Sequence, residues 1–203
     1  MLKQLKELED IGIDFAGFIF YDKSPRFALK SGLTPDILKK EKLRINRVGV
    51  FVNESSEKVL KTVHEWKLDL VQLHGDESPR YCEMISNHVN TIKAFRISKN
   101  DNISYKTHPF KETADLYLFD TFGQQFGGTG EKFDWQLLTQ SSVNKPYFLS
   151  GGITLDDVSS LAAFAKEVPN LFSLDINSKF ELSPGNKDMN KIKQFAEKVK
   201  TNQ

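Results

Sequence analysis

Cysteine is almost missing from this chain, with Cys82 the single example in 203 residues. One thiol excludes an intrachain disulfide and gives no basis for a cysteine-built metal site, a usage that fits a reducing compartment. Net charge is nearly missing too, because 28 Lys plus Arg against 27 Asp plus Glu leave +1. No global field draws in nucleic acid or an anionic membrane, so attraction for an anionic ligand has to be local. No apolar run approaches the roughly 18 residues of a membrane helix, and the opening MLKQLKELED is too polar for a signal peptide. The expected location is the cytoplasm, without membrane or nucleic-acid partners. Linkers, repeats and low-complexity stretches are also lacking, so residues 1–203 read as one domain.

What is present is a series of short apolar, β-branched or aromatic runs. They are Asp14–Phe20, Arg47–Asn53, Leu70–Gly75, Thr91–Ile97, Tyr117–Thr121, Pro146–Gly152 and Leu171–Ser178. Each is apolar on both faces rather than alternating, as strands are when helices cover one side of a parallel sheet and a packed interior the other. Their starts lie about 20 to 33 residues apart, the length of a strand–helix unit. Helical signals fill the intervals. Leu2, Leu5 and Leu8 precede Gly12, placed as a left-handed cap, and Thr34-Pro35 and Ser78-Pro79 read as an N-cap followed by proline at the first helical position. Thr154 with Asp157 resembles a capping box, and Met189, Ile192 and Phe195 mark a closing amphipathic helix over Asp188–Lys200.

Regular βα alternation leaves an open doubly wound sheet or a closed barrel. None of the seven runs is shortened or polar in the manner of an edge strand, so the barrel is the expected fold. A parallel (β/α)8 TIM barrel has eight strands and opens on one of them. Seven are visible here and the chain opens in a helix, so the expectation is an N-terminally incomplete barrel lacking its first strand.

Such barrels carry their chemistry at the C-terminal ends of the strands. Arg26, His74, Arg96, Asp120, Gly151, Gly152, Asp175, Asn177 and Ser178 all fall there. In SGGIT, Gly151 and Gly152 stand between a strand and a helix N-terminus, where backbone N–H groups and the helix dipole favour an anion. The same pair also suits a plain tight turn. Gly127–Gly130, including Gly128, sits in a longer loop that suits a ligand cover or simple flexibility. Asp120 reads equally as a general acid or as a loop-anchoring carboxylate. Arg26 has the planar fork that holds a carboxylate in a bidentate pair, and also suits a solvated loop. His74 reads as a residue filling the mouth, and Cys82 as a buried spacer on an outer helix.

GFIFYDKSPR, RVGVFVNES, VQLHGDES, LFDT with FGGTGEKFDW, LSGGIT and LDINSKFELSPGNKD occur in one order along nearly the whole chain. In this the sequence resembles the phosphoribosylanthranilate isomerase family. That family is a single (β/α)8 barrel of tryptophan biosynthesis that needs no metal or organic cofactor. It turns N-(5-phosphoribosyl)anthranilate into 1-(2-carboxyphenylamino)-1-deoxyribulose 5-phosphate by an Amadori rearrangement. The resemblance implies Asp120 as the acid, Arg26 as holder of the anthranilate carboxylate, and Gly151, Gly152, Asn177 and Ser178 as the phosphate site. Asp175 matches a further polar position at the mouth, and Lys179 stands where the family has glycine. The family's base is a cysteine in a KICGM-like motif ending the first strand, and that motif is absent from the sequence. Two alternatives remain: a catalytically silent phosphate-ligand barrel, or another barrel enzyme of the same pathway. Of the latter, indole-glycerol-phosphate synthase calls for a lysine acid that stands at no matching strand end.

Overall fold

A computed structural model describes residues 2–122 and 132–202. Seven strands form one sheet: β1 (Phe15–Ile19), β2 (Asn46–Phe51), β3 (Leu70–Leu73), β4 (Asn90–Ile97), β5 (Leu116–Thr121), β6 (Tyr147–Leu149) and β7 (Leu171–Leu174). They lie side by side in chain order, and every adjacent pair is parallel. The crossovers carry α2 (Pro35–Lys40), α3 (Ser56–Trp66), α4 (Pro79–Ser86), α5 (Ile103–Thr107), α6 (Gln136–Thr139) and α7 (Val158–Glu167). Before and after them come α1 (Leu2–Ile11) and α8 (Met189–Thr201). Thr34 and Ser78 cap α2 and α4 through their hydroxyls, each followed by proline. Gly12 ends the first helix at φ +83°, a conformation that a side chain disfavours.

Strand periodicity sorts the side chains into two layers. Val48, Leu70, Ile92, Ala94, Leu118 and Phe148 cluster with Phe15 and Leu116 inside the curve of the sheet. The alternate residues, among them Val71, Leu73, Phe95, Tyr117, Phe119 and Leu149, pack outward against the helices. Burial on both faces is why these strands read as continuous apolar runs rather than alternating ones.

The sheet curls into a barrel with one open seam. β1 and β7 are its two ends, and among the described residues neither pairs with a further strand. Both border one cleft of about 810 Å³, which residues of α1, α7 and α8 also line. Across the curve the Phe15 ring lies 5.3 Å from Phe148 and 6.0 Å from Phe172, centroid to centroid. Among the described residues no eighth strand fills this seam. After β7 a single 3-10 turn (Ser178–Phe180) leads into a small antiparallel hairpin, β8 (Glu181–Ser183) and β9 (Asn186–Lys187).

Candidate active site

The inward parity that buries Leu118 also carries Asp120 to the mouth, at the C-terminal end of β5. Asp120 Oδ1 accepts the Thr121 N–H at 2.8 Å. Its Oδ2 lies 3.3 Å from His74 Nε2. His74 stands on the matching position beyond β3, and its Nδ1 is 2.7 Å from the Gln72 side-chain nitrogen. That amide nitrogen can only donate, so Nδ1 accepts and the ring proton is assigned to Nε2, turned toward the carboxylate. The angle falls short of a good hydrogen bond, which leaves the buried Nε2 without a well-aligned acceptor. His74 therefore fills the mouth beside the candidate acid without a hydrogen bond between the two.

Gly151 follows β6 immediately beside Asp120. It has φ +92°, and a Cβ there would collide with Thr121 Oγ1 and stand 2.8 Å from the Thr121 backbone nitrogen and 3.0 Å from Asp120 Oδ1. Only glycine lets the β6 loop close over the end of β5. Gly152, at φ +63°, continues the turn toward Thr154. There the capping box is present, with Asp157 Oδ2 accepting the Thr154 N–H at 2.6 Å and hydroxyl at 2.9 Å. The pair therefore makes both the tight turn and an approach to a helix start.

Asp175 extends β7 by one residue, its N–H donating to Leu149 O at 2.8 Å. Its Oδ2 accepts the Ser150 hydroxyl at 3.1 Å. Burial raises the Asp175 carboxyl above its usual range, and the negative charge of Asp120 raises it further, against Lys187, Ser150 and His74. Beyond it lie Asn177 and Ser178, where the 3-10 turn starts.

Arg26 sits in the loop that folds back after β1. Its Nε and Nη2 grip Glu181 of the hairpin, with Nε 2.8 Å and Nη2 2.8 Å from Oε2. The pair is closed off from water, Glu181 exposing 3% of its side chain and Arg26 15%. Burial works to raise the Glu181 carboxyl, but Arg26, Lys187 and the Gly185 N–H together hold it below its ordinary value. Arg26 is thus not a solvated loop arginine, and one edge of its guanidinium is already engaged by a carboxylate of the chain itself.

Of the sequence candidates within the described residues, Arg26, His74, Asp120, Gly151, Gly152, Asp175, Asn177 and Ser178 line the same 810 Å³ cleft. Gly128 lies outside the described residues. Arg96, though inward on β4, is 2.6 Å from Asp76 and does not line the cleft. Cys82 is fully buried on α4, and loss of water pushes its thiol up to about 11. The sequence reading missed Gln72, Glu181 and Lys187, all of which line the mouth. The Pro184-Gly185 turn between Glu181 and Lys187 was the one available signal of the hairpin.

Fold and rim together define a parallel (β/α) barrel whose C-terminal mouth gathers carboxylates, a glycine turn and two half-buried cations. The family model described as N-(5'phosphoribosyl)anthranilate (PRA) isomerase matches residues 1–198. The N-(5'-phosphoribosyl)anthranilate isomerase of Parabacteroides distasonis is 35% identical, over 97% of this chain and 88% of the relative. The crystal structure of phosphoribosyl anthranilate isomerase from Thermotoga maritima superposes with a TM-score of 0.82 at 31% identity, over 99% of this chain and 95% of that one. A phosphoribosyl anthranilate isomerase solved in complex with reduced 1-(o-carboxyphenylamino)-1-deoxyribulose 5-phosphate gives 0.80 at 30% identity, over 99% and 94%. The chain belongs to the N-(5'-phosphoribosyl)anthranilate isomerase family.

Proposed function

We propose that this barrel binds N-(5'-phosphoribosyl)anthranilate and supplies the acid half of its Amadori isomerisation, the step of tryptophan biosynthesis that its family performs. The observation that carries this reading is the convergence of Asp120, the Gly151-Gly152 turn, Asn177 and Arg26 on one cleft. The Gly151-Gly152 loop and the Asn177–Ser178 turn hold the phosphate through backbone N–H groups, and Arg26 takes the carboxylate on the part of its fork that Glu181 leaves open. Asp120 gives its proton to the furanose ring oxygen as the bond from that oxygen to C1 breaks. The anilino nitrogen's lone pair forms the C=N bond of the Schiff base. A base then removes the proton from C2, and the electron pair moves to make the enolamine. Transfer of the enol proton's equivalent to C1 yields the ketone, so atoms and charge balance. His74 Nε2, 3.3 Å from Oδ2, sets a polar ring beside the Asp120 carboxylate.

The base is the piece this reading does not find among the described residues. Cys82 does not serve, being fully buried on an outer helix with a raised thiol pKa. We place the base on a strand that fills the seam between β1 and β7, as the family resemblance implies, making residues 1–203 an incomplete barrel. The open seam equally supports a second reading, a ligand-binding barrel without turnover. Adding an upstream strand with a cysteine at its C-terminal end separates the two. Turnover that appears with the strand and fails when its cysteine is changed to alanine supports the isomerase. Ligand binding with no turnover in either form supports the silent barrel.

A further inference from the structure

The hairpin β8–β9 took no part in the sequence-derived site, yet it supplies the charges at one end of the mouth. Glu181 and Lys187 are cross-strand partners on it. The Glu181 carboxylate collects Arg26 Nε at 3.1 and 2.8 Å, Arg26 Nη2 at 2.8 Å, the Gly185 N–H at 3.1 Å and Lys187 Nζ at 3.2 Å. The contacts to Glu181 come from Nε and Nη2, so the guanidinium is held by one edge. Lys187 reaches in the opposite direction as well, donating to Asn177 Oδ1 at 2.7 Å. Burial lowers the lysine's affinity for its proton, while Glu181 and then Asp175 restore part of it. Both residues line the cleft that contains Asp120.

We propose that Glu181 and Lys187 are positioning residues that join the two anion-holding ends of the site. Glu181 fixes the Arg26 fork so that its remaining donors meet the ligand's carboxylate, and Lys187 ties that assembly to the Asn177 turn at the phosphate end. A guanidinium held by one edge is pre-organised for an end-on contact, whereas a solvated arginine would have to be ordered at the moment of binding. A lysine bridging Glu181 and Asn177 makes the position of each anion site depend on the other. This inference rests on the isomerase reading of the cleft, and it concerns binding rather than turnover, so it holds whether or not the base is present.

The test uses calorimetric titration of the full 203-residue chain with two ligands. One is reduced 1-(o-carboxyphenylamino)-1-deoxyribulose 5-phosphate, and the other is the same compound with hydrogen in place of the carboxyl group. Their affinity ratio is the carboxylate advantage. In the unaltered chain this should be about tenfold or more, the range of a charge-assisted hydrogen bond. Glu181→Gln keeps the shape and removes the charge, and should collapse the advantage while weakening the carboxyl-free ligand much less than the carboxylate one. Lys187→Met should weaken both ligands and also shrink the advantage, and Lys187→Arg should recover much of it. A purely structural role would lower both affinities equally, and that result overturns the proposal. So would a rise in the advantage in Glu181→Gln, which would make Glu181 a competitor for Arg26. If Glu181→Gln does not fold, the two Lys187 variants decide the matter alone. An unaltered chain that binds neither ligand would instead reject the isomerase reading beneath the inference.

Discussion

Replacing Gly151 by alanine tests the packing of the mouth, because the new methyl has nowhere to go. At φ +92° any side chain is strained, by about 1–2 kcal/mol for a left-handed backbone. The Cβ would also drive into Thr121 Oγ1 and stand 2.8 Å from the Thr121 backbone nitrogen, which belongs to β5 and cannot rotate away. Forcing the end of that strand aside adds about 1–3 kcal/mol, as overpacking does in cores. The sum, about 2–5 kcal/mol, corresponds to a fall in melting temperature on the order of 10 °C for a domain of this size. Gly32 supplies the control, since its φ is +72° but nothing lies within 4 Å of its Cβ position. Gly32→Ala should carry the backbone strain alone. Thermal and urea unfolding of the two variants side by side isolates the collision, and Gly151→Ala should also weaken ligand binding because Asp120 moves with Thr121. Equal losses of stability in the two variants would refute the reasoning.

Three other perturbations address different parts of the molecule. Lys93 and Glu77 form a buried pair 2.9 Å apart, with 4% and 2% of their side chains exposed, so Lys93→Met should cost about 3–5 kcal/mol by stranding the carboxylate. Adding Glu77→Gln should restore part of this in urea denaturation, and no recovery in the double variant would contradict that cause. The Asp175 carboxyl is raised in the folded state, so folded protein binds more protons than unfolded protein once pH exceeds the ordinary aspartate value, and stability should fall as pH rises through that region. Asp175→Asn should flatten that fall and be the more stable form at neutral pH; an unchanged slope of midpoint against pH would reject it. The free edges of β1 and β7 should favour association, and an upstream strand that fills the seam should raise the denaturation midpoint. Equal midpoints for the chain with and without that strand would count against this.

The strands were legible because burial on both faces leaves runs such as LVQL and YLFD with little polar interruption. The position of Asp120 was legible for the same reason, since a carboxylate that ends such a run on the inward parity has to face the mouth. Gly151 announced a close approach, though the residue approached, Thr121, is 30 positions away and visible only in three dimensions. Lys93 shows the opposite case. A lysine inside TIKAFRI gives no sign that its ammonium turns outward from the sheet to reach Leu73 O, Gly75 O and Glu77 beneath the helices. Glu181 and Lys187 escaped notice because a hairpin of three and two residues has too few positions to show a period. Arg26 was found as a cation of the mouth, but its prior engagement by a residue 155 positions later was beyond any local pattern.

The central claim is that residues 1–203 hold the substrate site and acid of an isomerase whose base belongs on the strand that fills the seam. It is tested most directly by turnover of N-(5'-phosphoribosyl)anthranilate, followed as loss of its anthranilate-like fluorescence. The account predicts no turnover by the 203-residue chain, rescue by an upstream strand ending in cysteine, and loss of the rescued activity by about 10²–10⁴-fold in Asp120→Asn. Clear turnover by the chain alone, abolished by Asp120→Ala, would contradict it by placing the base among these 203 residues.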